Sequence, residues 1–206
     1  MKRFELLLFS LSVLAVSSLL LRFSGGVYFT QFGLSLLAMF FFLCGFILLG
    51  GIPYQDIFRN SSFSRLNRLE MLYLVLSSLV LAFLLTAIQL KLLLYTGSDF
   101  MLGISLGASL FILVAGLLLH KWMQKLLLKR VLLRISVYAS VSLLLLTTPA
   151  FSLIDQYYGK NTELAQIRKQ IWDNPYDDGL SRHLSSLDSN KQPIRLLPFS
   201  NILMPY

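Results

Sequence analysis

The sequence predicts an all-α integral membrane protein: a bundle of five transmembrane helices with a short, partly helical C-terminal extramembrane tail. Three observations carry this. Apolar stretches fill residues 4–21, 27–49, 71–95, 100–119 and 132–153, each near the ~20 residues that a helix needs to cross a hydrocarbon layer roughly 30 Å thick. Mean hydropathy is +0.70 with 14% charged residues, whereas a soluble domain carries about a quarter. The excess positive charge also sits in alternate gaps between the stretches. Twelve bases stand against four acids before residue 151, and six against six after it, so the whole formal +8 belongs to the apolar region. Strand-like alternation is absent, and only helices or closed barrels satisfy the backbone inside lipid.

The first stretch ends at Arg22 and the Ser24-Gly25-Gly26 turn. Its opening, Met1-Lys2-Arg3 with Ala15-Val16-Ser17 further on, also fits a cleavable secretory signal. The apolar run continues through Leu21, so an uncleaved first span is expected. Gly50, Gly51 and Pro53 close the second stretch, and Thr96-Gly97-Ser98-Asp99 separates the third from the fourth. Glycine and proline are the usual punctuation of helices. Tyr157-Tyr158 follows the fifth like an interfacial aromatic anchor.

Counting bases in the gaps gives an orientation. Lys2 and Arg3 precede span one; Arg59, Arg65 and Arg68 follow span two; Lys121, Lys125, Lys129, Arg130 and Arg134 follow span four. The other two gaps hold Arg22 and no base at all. The positive-inside rule then puts the N-terminus in the cytoplasm and the tail outside a plasma membrane, the bacterial inner membrane. Asn60-Ser61-Ser62 has the form of a glycosylation sequon but falls in a gap expected to be cytoplasmic, so it is read as chance. The bases interleave with spans, which argues for anionic headgroups on the cytoplasmic side as their partner and against nucleic acid.

Within 120–134 there is no Gly, Pro, Asn or Asp, and Lys121, Lys125 and Lys129 recur every four residues. Together with Trp122, Arg130 and Arg134 they make a helical hairpin end or surface helix, a topology anchor that touches headgroups or a partner. In the tail, residues 155–206, Asn161 is placed to cap a short helix reaching Trp172, with Leu164, Ile167, Ile171 and Trp172 as its apolar docking residues. A second short helix is expected to carry Leu180, Leu184 and Leu187 before a Pro-rich extended end. This tail is too small to build much of a core alone. Its apolar faces therefore require a membrane surface or another protein.

Chemistry is approached by exclusion. Lys91 is the one ionisable residue well inside a span, one turn from the outer interface, where a lysine can snorkel; contact with a partner or ligand is the alternative, with Gln89 and Thr86 able to join it as an intramembrane polar site. Glu70 and Arg134 sit at span ends and call for no special account. No span holds an interior Asp, Glu or His, which disfavours ion-coupled transport by this chain alone. Gly103-Ile104-Ser105-Leu106-Gly107 has the G-x-S-x-G form of serine hydrolases, but His120 lies about 20 Å along the same helix, so the segment is read instead as a packing stripe in which Gly103, Gly107 and Ala108 let a neighbouring helix approach. Asp173, Asp177 and Asp178 miss the calcium-loop pattern. No zinc spacing, Walker loop or dinucleotide fingerprint occurs, so no cofactor or metal is expected. Cys44, the single cysteine, excludes an internal disulfide.

These exclusions lean away from an enzyme. They favour a non-catalytic accessory or scaffold subunit of a membrane complex serving assembly, secretion or transport, with other membrane subunits as partners. The alternatives are a small transporter or channel component, using Gln31, Thr86, Gln89, Lys91, Ser105 and Ser109, and the membrane anchor of a lipid headgroup-modifying enzyme.

Overall fold

The computed structural model describes residues 2–21, 26–51, 67–158, 163–174 and 179. The Asn60 sequon, the Asn161 cap, the side chain of Leu164 and the second tail helix lie outside the described residues. Seven α-helices follow one another among those described: α1 Lys2–Leu20, α2 Gly26–Gly50, α3 Arg68–Leu92, α4 Ser98–Leu118, α5 Lys125–Thr147, α6 Ala150–Tyr158 and α7 Glu163–Asp173. A 3-10 turn, Leu119–Lys121, prolongs α4. Among the described residues, four helices (α2, α3, α4 with its 3-10 turn, and α5) are each long and apolar enough to cross a membrane. The apolar stretch of α1, Phe9–Leu20, is shorter.

Three expected boundaries move. The fifth long helix begins at Lys125 rather than at residue 132, so Lys125, Lys129, Arg130 and Arg134 occupy its first turns. It ends at Thr147, because Pro149 offers no N–H and pushes the residue before it into extended backbone; Thr148 has ψ 115°. The chain restarts as the separate helix α6. At the far end of α3, the helix stops at Leu92, three residues before Tyr95. Leu94 there takes a left-handed φ of 58°, a strained choice for a leucine that drops its side chain into the core.

α3 is the centre of the bundle and packs against α2, α4 and α5, while α1 packs along the far side of α2. The core runs through Leu37, Phe41, Leu74, Leu81, Leu84 and Leu85. Tyr138 of α5 meets the rings of Phe41 and Phe9 edge-on, with centroids 5.9 and 6.5 Å apart, and so joins α5 to α2 and α1.

The helices approach most closely where a side chain is missing or small. A Cβ on Gly45 would stand 2.6 Å from Ser78 Cβ across the α2–α3 contact, and one on Gly116 would stand 2.3 Å from Tyr73 Oη across the α3–α4 contact. That space lets Tyr73 donate to the carbonyl of Ile112 at 3.1 Å. On the other flank, Ser12 donates to Gly33 O at 3.1 Å and Thr30 to Ala15 O at 2.8 Å, stitching α1 to α2. Gly103 and Gly107, expected to admit a neighbouring helix, have nothing among the described residues within 4 Å of a built Cβ. The reason is helical phase: α4 turns Leu102, Ser105, Ser109, Ile112 and Gly116 inward, which leaves Gly103 and Gly107 exposed and Ala108 half-buried.

Candidate functional site

The bundle has two polar ends. At one lie the α4–α5 turn, the start of α3 and the close of α2. Here Glu70 is only 4% exposed. Its Oε2 accepts from the N–H of Asn67 at 3.0 Å, at the start of α3, and its Oε1 accepts from the N–H of Gln124 at 2.9 Å, at the start of α5. One carboxylate thus satisfies unpaired donors at two helix N-termini, where the helix dipoles also favour negative charge. The expectation that Glu70 calls for no account is corrected: it ties α3 to α5.

The same end divides the basic residues by role. Arg130 lies against Gly51, whose φ of +70° closes α2 and whose built Cβ would fall 2.0 Å from Arg130 Nη1. A cation there complements the C-terminal end of α2. Lys121, Lys125 and Lys129 are exposed, and Arg134 is half-buried. Trp122 is 74% exposed at the turn itself. Lysines beside an exposed tryptophan are the arrangement met at headgroup level. The expected hairpin end is present, with Trp122 as the C-cap of the 3-10 turn and Gln124 as the N-cap of α5.

At the opposite end, Lys91 closes α3 and Asp99 opens α4. Lys91 does not snorkel. It is 1% exposed, and its Nζ meets Asp99 Oδ1 at 2.5 Å, with the Asp99 side chain 47% exposed. Position favours both charges, a base in the last turn of one helix and an acid in the first turn of the next. Over this pair lies the tail. Nζ of Lys91 sits 5.7 Å from the centroid of the Trp172 ring, a cation–π distance. The same tail helix is held by Lys169, whose Nζ lies 2.7 Å from Asp155 Oδ1 of α6 and 6.0 Å from the Phe151 ring centroid.

Ala165 and Ile167 of α7 are buried, Ile171 and Trp172 half-buried, and Trp172 packs against the main core. The surface that the α7 apolar residues were expected to need is supplied by the chain itself. Burial raises Tyr95 and Tyr157 above the ordinary tyrosine range, and neighbouring Tyr158 adds to the effect at Tyr157. The hydroxyls of Ser98 and Tyr157 and Nε of Arg168 are buried here with no hydrogen-bond partner among the described residues.

The structure does not join Gln89 and Thr86 to Lys91. Gln89 instead donates to Ser35 Oγ at 3.0 Å and to the carbonyl of Gln31 at 3.4 Å. Thr86 donates to Ala82 O of its own helix at 3.0 Å and faces outward. Ser105 and Ser109 are fully buried, each bonded to a carbonyl of α4. No family model, curated protein or solved structure matches this chain.

What these polar groups do chemically follows from who holds them. Lys91 and Glu70 are both engaged within the chain, one by Asp99 and Trp172, the other by two backbone donors. Of these, Lys91 was legible as an intramembrane charge. Glu70 was not, because its second partner lies on a helix reached only through the fold; the one local signal was Asn67 three residues before it.

Proposed function

We propose that this chain is a non-catalytic accessory or scaffold subunit of a multi-protein membrane complex. One observation supports this above others: Gly103 and Gly107 lie on an outward face of α4 with nothing opposite them among the described residues. Small residues one turn apart allow another helix to come close enough for backbone contact. Ala108 beside them, only half-buried, extends the same strip. A helix of another membrane subunit is the occupant proposed for this face, and the tail beyond α7 provides a second docking region.

In this reading α1 is the fifth span. Exposed Lys121, Lys125 and Lys129 with Trp122 then mark the cytoplasmic headgroup level of a bacterial inner membrane. Lys91, Asp99 and α7 lie at the outer face. A cysteine introduced at Ser189 in a Cys44→Ser background should react with an impermeant maleimide on intact cells; reaction only after lysis reverses the orientation.

The subunit role is tested by gentle detergent extraction of the tagged chain beside Gly103→Ile and Gly107→Ile. A defined set of co-purifying membrane proteins, lost in both variants while the chain stays folded, is the expected result. A monodisperse single protein that copurifies with nothing would end this reading.

A further inference from the structure

The outward side of the α2–α3 seam is not uniformly apolar. Gln31 and Ser35 are one turn apart on α2, and Thr86 and Gln89 are one turn apart on α3, so each helix presents its pair on one face. Ser35 and Thr86 are exposed, and Gln31 and Gln89 half-buried. Gln89 touches both Ser35 and the Gln31 carbonyl, which sets these residues at one level of the bundle. Phe32 and Met39 stand exposed on the same helix α2. At 1.5 Å per residue, Ser35 lies about 14 Å along α2 from Gly26, and Thr86 about 9 Å along α3 from Leu92.

Hydrocarbon offers neither donors nor acceptors to such a patch. The internal bonds leave capacity over. Among the described residues, the Gln31 side-chain amide has no hydrogen-bond partner, and the Thr86 hydroxyl spends its proton on its own helix and keeps its lone pairs. Gln89 is more fully engaged, its amide nitrogen donating to Ser35 Oγ and the Gln31 carbonyl and its oxygen facing the Ser35 hydroxyl at 3.2 Å, so the capacity left over lies chiefly with Gln31 and Thr86.

We infer that this patch is the contact between two copies of the chain. An amide both donates and accepts, so a patch of amides and hydroxyls is complementary to itself. A two-fold axis along the membrane normal keeps each residue at its own depth and sets Gln31 of one copy against Gln89 and Thr86 of the other, and the reverse. That is the isologous pattern of symmetric dimers. Interhelical bonds between such side chains are a recognised source of association in lipid. The inference rests on α2 and α3 crossing the membrane and is independent of the accessory role, since it uses a different face from Gly103 and Gly107.

The test is energy transfer between donor- and acceptor-labelled copies in phosphatidylcholine vesicles, with the label on Gln166→Cys in a Cys44→Ser background. Transfer should rise with the protein-to-lipid ratio and fall when unlabelled chain is added. Gln31→Leu removes a side chain with no internal bond among the described residues, so the fold, followed by circular dichroism, is retained while dimerisation weakens on the order of tenfold. Gln31→Asn keeps the amide and should restore part of the association. Transfer no greater than random proximity would overturn the inference. So would association that survives Gln31→Leu combined with Gln89→Leu, and so would association lost only on Gly103→Ile, which would move the contact to α4.

Discussion

Lys91 Nζ and Asp99 Oδ1 meet at 2.5 Å across the turn between α3 and α4, in a pair whose two members differ sharply in exposure, 1% against 47%. The asymmetry sets what each substitution does. Asp99→Ala strands an ammonium that is already buried, whereas Lys91→Leu leaves a carboxylate that water can still reach. Asp99→Ala should therefore destabilise the bundle by about 2–3 kcal/mol and Lys91→Leu by about 1 kcal/mol or less. Thermal unfolding in detergent would measure both. Equal losses would mean that the pair is solvated on both sides.

Glu70 should behave as a two-sided cap. Glu70→Ala removes the acceptor from Asn67 and Gln124 N–H groups at once, at about 3 kcal/mol, because hydrogen bonds to a charged group contribute roughly 1.5–3 kcal/mol each. Glu70→Gln keeps one carbonyl oxygen but turns an amide toward the other donor, so it should recover less than half. Chemical denaturation monitored by helical signal distinguishes these values. A neutral Glu70→Gln would show that charge plays no part.

Glycines divide into two groups by what faces them. Gly45→Ala and Gly116→Ala place a methyl against Ser78 and Tyr73 and should each cost about 1–3 kcal/mol through overpacking. Gly103→Ala and Gly107→Ala meet nothing among the described residues. In the isolated protein they should be neutral or slightly stabilising, since alanine is the better helix former. Any loss they cause belongs to association with another molecule.

The tail layer should be sensitive to alkali. Tyr157 is raised above its ordinary value of 10.0 by burial. Below pH 10 it is neutral in both folded and unfolded chains and contributes no pH dependence. Above pH 10 the unfolded chain loses the proton while the folded chain holds it, so stability falls as pH rises. Trp172 fluorescence in a Trp122→Phe background should report α7 leaving the bundle in that range. Tyr157→Phe should flatten the response, and an unchanged curve would exclude Tyr157 as its origin.

How far the sequence reached can be seen residue by residue. The run of apolar residues around Leu81 and the break at Gly97 placed α3 and α4 to within a few residues, because hydropathy and turn chemistry act locally. Pro149 was in plain sight as the stop of α5, yet the apolar residues beyond it masked the break. Lys91 stood out as the base that no gap explained. Its partners did not stand out, since Asp99 was read as part of a turn and Trp172 lies 81 positions further along the chain. The stripe Gly103, Gly107 was read as small residues that admit a neighbouring helix, but a spacing of four cannot say which way a helix is rotated, and so not whether that neighbour belongs to the same bundle.

By itself, then, the sequence determined that the chain is helical, that it carries long apolar segments and how charge is distributed between the gaps. These depend on composition and local backbone preference, which need no distant residue. The sequence predicted five spans, where four of the described helices are long and apolar enough to cross a membrane. The tertiary structure decided the rest: that Glu70 joins two helix starts, that Arg130 covers Gly51, that α7 folds back to cover Lys91, and that Gly45 and Gly116 rather than Gly103 and Gly107 carry the close helix contacts. Each of these depends on the rotation of one helix against another. That rotation is set by the sum of many contacts across the bundle, and no single segment carries it.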